Sequence, residues 1–280
     1  MKQTPYYFLL PSILILAFTS LYPICYSVYY SLFNWRWGDE KDFIGLNNYI
    51  ILLSDKEFWI IVKNTFVFAF FACFIEILIG VLLAIYIDRI KIGSTIIRTV
   101  LLIPLMVSGI SVTMLFKVML DNMFGIIPEL LSFIGLKSDF FGSYTAAMPT
   151  IIALDVWWQT SFVFIIILAG LKSIPNEPIE AAKIDGASEW EITRYIRLPM
   201  IRSLLFLVLI FRSIDTLKVF DIVWGTTAGG PGLATEALQT YAYRVAYSFL
   251  EMSKSMTVMV LFSIVVIFLT ILYSRLNKDL

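Results

Sequence analysis

The chain has 280 residues, of which 59% are hydrophobic and only 15% charged, with a mean hydropathy of +0.85. Soluble domains average about a quarter charged residues, so this composition excludes an ordinary water-soluble globule and reads as a membrane protein. Basic and acidic residues balance at 21 each, which leaves no footprint for nucleic acid; there is no histidine, and the two cysteines, Cys25 and Cys73, sit in apolar stretches, so histidine chemistry, a disulfide framework and a thiolate metal site are all unexpected.

Six stretches reach the roughly 20 apolar residues that a membrane helix needs. They predict an all-α polytopic membrane protein with six transmembrane helices over about Tyr7–Ser31, Ile60–Ile87, Ile96–Leu120, Ala147–Leu171, Ser203–Val223 and Thr257–Tyr273. The first run extends from after Lys2 to about Phe33, too long for a signal-peptide core, and reads as a retained helix. One set of connections carries Lys2, Arg89, Lys91, Arg98, Lys172, Lys183, Arg194, Arg197, Arg202, Arg275 and Lys278. The other carries only Arg36, Lys41, Lys56, Lys137, Arg244 and Lys254. The richer side is expected in the cytoplasm, with both termini.

Between the third and fourth spans lies the outer segment Asp121–Tyr144; the first outer loop is Asn34–Trp59 and the last Gly225–Met256. The fourth span holds Asp155, Trp157, Trp158 and Gln159. Indole faces beside an amide suit a sugar, which offers apolar ring faces and many hydroxyls. The alternative is an interfacial aromatic belt. Neighbouring helical residues point about 100° apart, so both tryptophans should not line one site.

The connection Lys172–Arg202 carries the strongest signal. Pro175 and Pro178 suit the first turn of a helix, Glu180, Ala181 and Ala182 continue it, and Asp185-Gly186 reads as its left-handed end. Ser188-Glu189-Trp190-Glu191 fits a capping box that opens a second helix, which Pro199 is expected to close. Trp190, Tyr195 and Ile196 give that helix an apolar side. Such a pair either packs under its own bundle or offers a surface to a partner. The fifth span contains Arg212, Asp215, Lys218 and Asp221, each costing about 2.5–3.5 kcal/mol at a lipid-facing helix centre, so they should pair along the helix or face the bundle or a wet cavity. Glu76 in the second span is a further candidate for polar pairing. In the last outer loop Gly229-Gly230-Pro231 marks a tight turn.

The residues Glu180, Ala181, Ala182, Gly186, Ile196, Leu198 and Pro199 resemble the EAA loop of bacterial ABC importer permeases at each of its defined positions. The resemblance implies the type I ABC importer permease fold. It also implies a coupling helix docked on an ATPase subunit, with Glu180 facing a basic residue there, Asp185 beside the turn, and Gly186 permitting the turn. Phe43-Ile44-Gly45-Leu46-Asn47-Asn48-Tyr49, Phe220-Asp221, Thr227-Ala228-Gly229-Gly230-Pro231 and Thr235-Glu236 resemble segments of the carbohydrate-uptake branch, that of the maltose and glycerol-phosphate type permeases. The chain departs from that branch at Thr227, where a Leu-Thr pair is usual, and near Glu251–Met256. The implied organisation is a first helix and outer loop over 1–59, a permease domain over 60–274 with its coupling loop at 173–200, and a tail at 275–280. The implied partners are a second permease, two ATPase subunits, an extracytoplasmic solute-binding protein, membrane lipid and a sugar-like solute, in a bacterial or archaeal plasma membrane. No GxxxxGK[ST] phosphate loop is present, so ATP and Mg are expected on the ATPase subunits and the chain itself is expected to be non-catalytic. Trp157, Trp158, Gln159 and Asp215 are the expected solute contacts, and Gly229, Gly230 and Pro231 the expected docking turn for the binding protein. The competing reading is a secondary transporter or channel driven by an ion gradient; no convincing internal repeat supports it.

Overall fold

In the computed structural model, residues 4–90, 93–135 and 139–276 are described, and Lys2, Lys91, Lys137 and Lys278 of the charge count lie outside them. Two compact units are formed, one from 1–62 and 238–267, the other from 63–237 and 268–280.

The first unit opens with α1 (Thr4–Leu16), a π-helical turn (Ala17–Leu21) and α2 (Tyr22–Tyr30). The wide turn comes just before Pro23, whose ring would crowd the carbonyl one turn earlier in a regular helix. A short antiparallel hairpin follows, β1 (Phe33–Asn34) with β2 (Asp42–Phe43), Phe33 opposite Phe43. Next comes α3 (Asn47–Ser54), whose Asn48 amide donates to the carbonyls of Ser31 (2.8 Å) and Phe33 (2.7 Å). Lys41 lies 4.3 Å from the ring centres of both Tyr30 and Trp35. The unit also holds α14 (Leu238–Tyr247) and most of α15 (Met252–Leu276), whose Ser253 hydroxyl donates to the Tyr30 carbonyl (2.7 Å).

The second unit is built around α8 (Ala147–Lys172), apolar on all sides and for that reason the most enclosed of the four long apolar helices. One end of α8 packs with α4 (Lys56–Asp88) and α12 (Arg202–Leu217) through Ala84, Ile87, Val163, Phe164, Ile167, Ile201 and Val208. Its other end packs with α4 and α13 (Asp221–Thr226) through Phe68, Ala72, Ile151, Leu154, Ile222 and Val223.

Two of the expected spans are broken. Ile96–Leu120 forms α5 (Ser94–Leu102), a 3-10 turn (Pro104–Met106) and α6 (Gly109–Met119), with a bend of 95°. Pro104 removes one backbone donor, and Val107 and Ser108 are extended. Carbonyls near the break are taken by α8: the Trp158 indole donates to Val107 (3.1 Å) and the Ser161 hydroxyl to Leu101 (2.5 Å). Likewise Ser203–Val223 is not one helix, because α12 ends at Leu217 and α13 begins only at Asp221. Among the described residues, four helices are long and apolar enough to cross a membrane, or five if the bent α5–α6 pair is counted as one span. The outer segment expected as a loop contains α7 (Ile126–Phe133).

Candidate functional site

Arg212 is the hub of a buried charge cluster. Its Nε and Nη2 donate to the two oxygens of Glu76 (2.6 and 3.0 Å), Nη2 also to Asp155 (3.3 Å), and Nη1 to Asp215 (2.6 Å). Glu76 comes from α4, Asp155 from α8 and Arg212 from α12, so one guanidinium ties three helices. A bidentate fork of this kind is among the strongest side-chain pairings, and burial of the participants requires it. Pairing along α12 occurs as well, from Arg212 and Lys218 to Asp215 (2.6 and 3.8 Å). Asp221 starts the next helix, outside that ladder.

Beside this cluster lies a cavity of about 260 Å³ whose lining includes Trp158, Gln159, Asp215, Lys218, Phe220 and Asp221. Three of the expected solute contacts, Trp158, Gln159 and Asp215, are therefore brought together. Trp157 is not among them. It points to another side of α8, edge-on to Phe116 (5.1 Å), and lines a separate apolar depression with Leu83, Leu101 and Phe164. The space is bounded by close backbone approach: a Cβ at Gly109 would fall 2.5 Å from an Asp221 carboxylate oxygen and 2.8 Å from the Trp158 ring.

The second candidate region is the helix pair at 173–200. Helix α9 (Glu177–Ile184) begins with Pro178 in its first turn, while Pro175 stays outside it. It ends in a Schellman motif, with Ala187 N–H on the Ala182 carbonyl (2.9 Å), Gly186 N–H on that of Lys183 (3.1 Å), and Gly186 at φ +83°. Asp185 is the C-cap. Helix α10 (Glu189–Ile192) opens on a full capping box between Ser188 and Glu191. Hydrogen bonds from the Ser188 hydroxyl (2.6 Å) and backbone N–H (2.7 Å) hold the Glu191 carboxyl below the usual carboxylate range. Pro199 does not close the helix. A π-helical turn (Thr193–Arg197) leads into α11 (Leu198–Met200), and this wider turn makes room for the proline ring; the break falls at Ile201. Glu180 and Ala181 are exposed, Ala182, Ile196 and Leu198 half-buried. The large apolar side chains Ile184, Trp190 and Tyr195 are 86%, 64% and 70% exposed.

Sequence reasoning missed the residue that holds this pair in place. Glu189 accepts ion pairs from Lys183 (3.4 Å), Arg197 (3.5 Å) and Arg89 at the end of α4 (3.8 Å), and Arg89 also donates to Thr193 Oγ1 (2.8 Å). Nothing local distinguishes Glu189 from Glu177, Glu180, Asp185 and Glu191 in the same connection, and Arg89 lies 100 positions away. The Gly229-Gly230-Pro231 turn is tied from within: the Thr235 hydroxyl donates to the Gly230 carbonyl (2.8 Å) and its N–H to that of Gly229 (3.1 Å), and Gly229 is buried.

Against known proteins, the family described as binding-protein-dependent transport system inner membrane component matches residues 76–280. A probable ABC transporter permease protein, y4oQ of Sinorhizobium fredii, is 32% identical over 256 residues, 90% of this chain and 83% of the relative. The trehalose/maltose transport system permease protein MalF of Thermococcus litoralis is 34% identical over 240 residues, 85% of this chain and 81% of the relative. In fold, the chain superposes with a TM-score of 0.87 on a chain of a bacterial ABC transporter involved in import of the acidic polysaccharide alginate, at 21% identity, covering 98% of this chain and 95% of that one. With the type I importer fold and the family match in agreement, this chain belongs to the binding-protein-dependent inner-membrane transport components and is the non-catalytic permease of an ABC importer.

Proposed function

We propose that the chain forms half of the passage for a carbohydrate-like solute, the cavity beside Arg212 being its station in the membrane. The observation that carries this reading is the convergence of two helix breaks on one polar cavity. The Val107–Ser108 break is held by Trp158, and the Lys218–Phe220 break supplies lining residues directly. Irregular backbone at membrane depth is tolerated where it is buried in protein or borders a wet cavity. Trp158 offers an apolar plate and Gln159 both donors and acceptors, the combination that suits a hydroxylated ring. The trehalose/maltose relative supports the solute class.

The α9–α10 pair is the coupling element in this reading. Ile184, Trp190 and Tyr195 present apolar area to an ATPase subunit that binds ATP and Mg, with Glu180 facing a cation there. The pair and both termini lie in the cytoplasm, a second permease completes the passage, and the Gly229–Pro231 region faces the binding protein. The test is reconstitution with the ATPase and binding-protein subunits in liposomes, with radiolabelled maltose and trehalose as probes. Gln159→Ala should raise the half-saturating concentration at unchanged abundance, and Glu180→Lys should abolish stimulation of ATP hydrolysis. Wild-type uptake by the first and wild-type stimulation in the second would overturn the respective halves of the proposal.

A further inference from the structure

We infer that the cavity beside Arg212 excludes anionic solutes, so that this importer carries an uncharged polyhydroxy compound bearing neither phosphate nor carboxylate. The inference rests on the cavity being the solute station. Capture of an anion needs a cation or a cluster of donors free to turn toward it. The lining holds two cations, Arg212 and Lys218, against the carboxylates of Asp155, Asp215 and Asp221. Arg212 is already committed: four of its five N–H groups are taken by Glu76, Asp155 and Asp215, and it is 2% exposed. Glu76, which is not part of the lining, accepts two of those four bonds.

That leaves Lys218 as the cation on the open face of the lining. It already lies 3.8 Å from Asp215, and about half of each of these side chains is exposed. Asp221 is exposed as well. Two open carboxylates against one open ammonium leave acidic side chains in excess on the solute-facing surface. A like charge held 5–8 Å away at an intermediate dielectric lowers occupancy on the order of 10–100-fold. An uncharged sugar incurs no such penalty, and exposed carboxylates accept hydrogen bonds from its hydroxyls. The chain thereby parts company, in solute charge, with the importer of acidic alginate whose fold it shares.

Charge-selective thiol labelling tests this without knowledge of the natural solute. Gln159→Cys is placed in a Cys25→Ser/Cys73→Ser background in the assembled importer, and its reaction rates with a trimethylammonium and a sulfonate methanethiosulfonate are compared. The cation-to-anion rate ratio should exceed that of free 2-mercaptoethanol on the order of tenfold, and Asp215→Asn/Asp221→Asn should bring it back toward that reference. Phe220→Cys provides the same reading if Gln159→Cys lowers the yield of complex. A ratio at or below the reference at both positions would overturn the inference. Protection of the thiol in the Phe220→Cys importer, which keeps the Gln159 amide, separates it from the reading beneath it. Maltose should slow labelling, and an aldobiouronic acid, its carboxylated counterpart, should not. Equal protection by both sinks the charge inference alone, whereas a high ratio with no protection by any sugar sinks the solute station and leaves the electrostatics standing.

Discussion

Removing Arg212 should be among the most damaging single changes in the chain. The substitution Arg212→Leu leaves Glu76, 0% exposed, without the fork that satisfies both its oxygens, and strips Asp155, 6% exposed, of its counter-charge. Breaking a buried pair by deleting one partner costs about 3–5 kcal/mol, mostly for the charge left behind. On a scale of roughly 2–4 °C per kcal/mol for a body of this size, the purified importer should melt roughly 6–20 °C lower. Glu76→Leu combined with Arg212→Leu removes both ends of the fork and should recover more than half of that loss. Arg212→Lys keeps the charge but not the planar fork, and should fall between. Scanning fluorimetry of detergent-solubilised complex, with its yield, measures all three. An Arg212→Leu variant melting within about 2 °C of wild type, or a double variant showing the sum of the single losses, would refute the reasoning.

Three further outcomes are expected. Gly186→Ala forces an L side chain to φ +83°, a strain of about 1–2 kcal/mol, and should lower binding-protein-stimulated ATP hydrolysis several-fold, while Ala187→Gly should not. The Glu191 carboxyl is held low by Ser188, so the capping box contributes above the usual carboxylate range and is lost as pH falls through the depressed value; amide exchange in α10, corrected for intrinsic rate, should accelerate on acidification in the wild type and not in Ser188→Ala. Lys183→Cys should resist an impermeant thiol reagent applied outside intact cells, whereas Asp39→Cys should react, both positions being exposed. Strong outside labelling at 183 would reverse the orientation.

What could be read in advance was local. The Asp185-Gly186 turn and the Ser188–Glu191 box are decided within a few residues, and both form where their chemistry demanded them. The separation of Trp157 from Trp158 likewise follows from helical geometry alone. Glu76 stood out as a candidate for polar pairing, but its pairing with Arg212, and that of Asp155, was not legible, because they lie 136 and 57 positions away and only packing brings them together. Pairing along α12 was visible and real, but it accounts for the weaker half of the cluster. Both broken spans were read as continuous: Pro104 is a local signal for the first break that the span prediction did not use, whereas Lys218-Val219-Phe220 contains no proline or glycine. Pro199 misled, since a π-helical turn absorbed it.

The Arg212 fork also imposes an order on biosynthesis. Glu76 leaves the ribosome 136 residues before its arginine, and Asp155 57 before, so each enters the membrane on a helix with no counter-charge yet made. At about 5–20 residues per second, Glu76 waits roughly 7–27 s. An acidic group unpaired at a helix centre carries a penalty of about 2.5–3.5 kcal/mol through that interval. Helices α4 and α8 are therefore expected to linger beside the translocation channel, or at its watery mouth, until α12 arrives and the three close together. Nascent chains stalled before and after Arg212 should differ sharply in release into lipid.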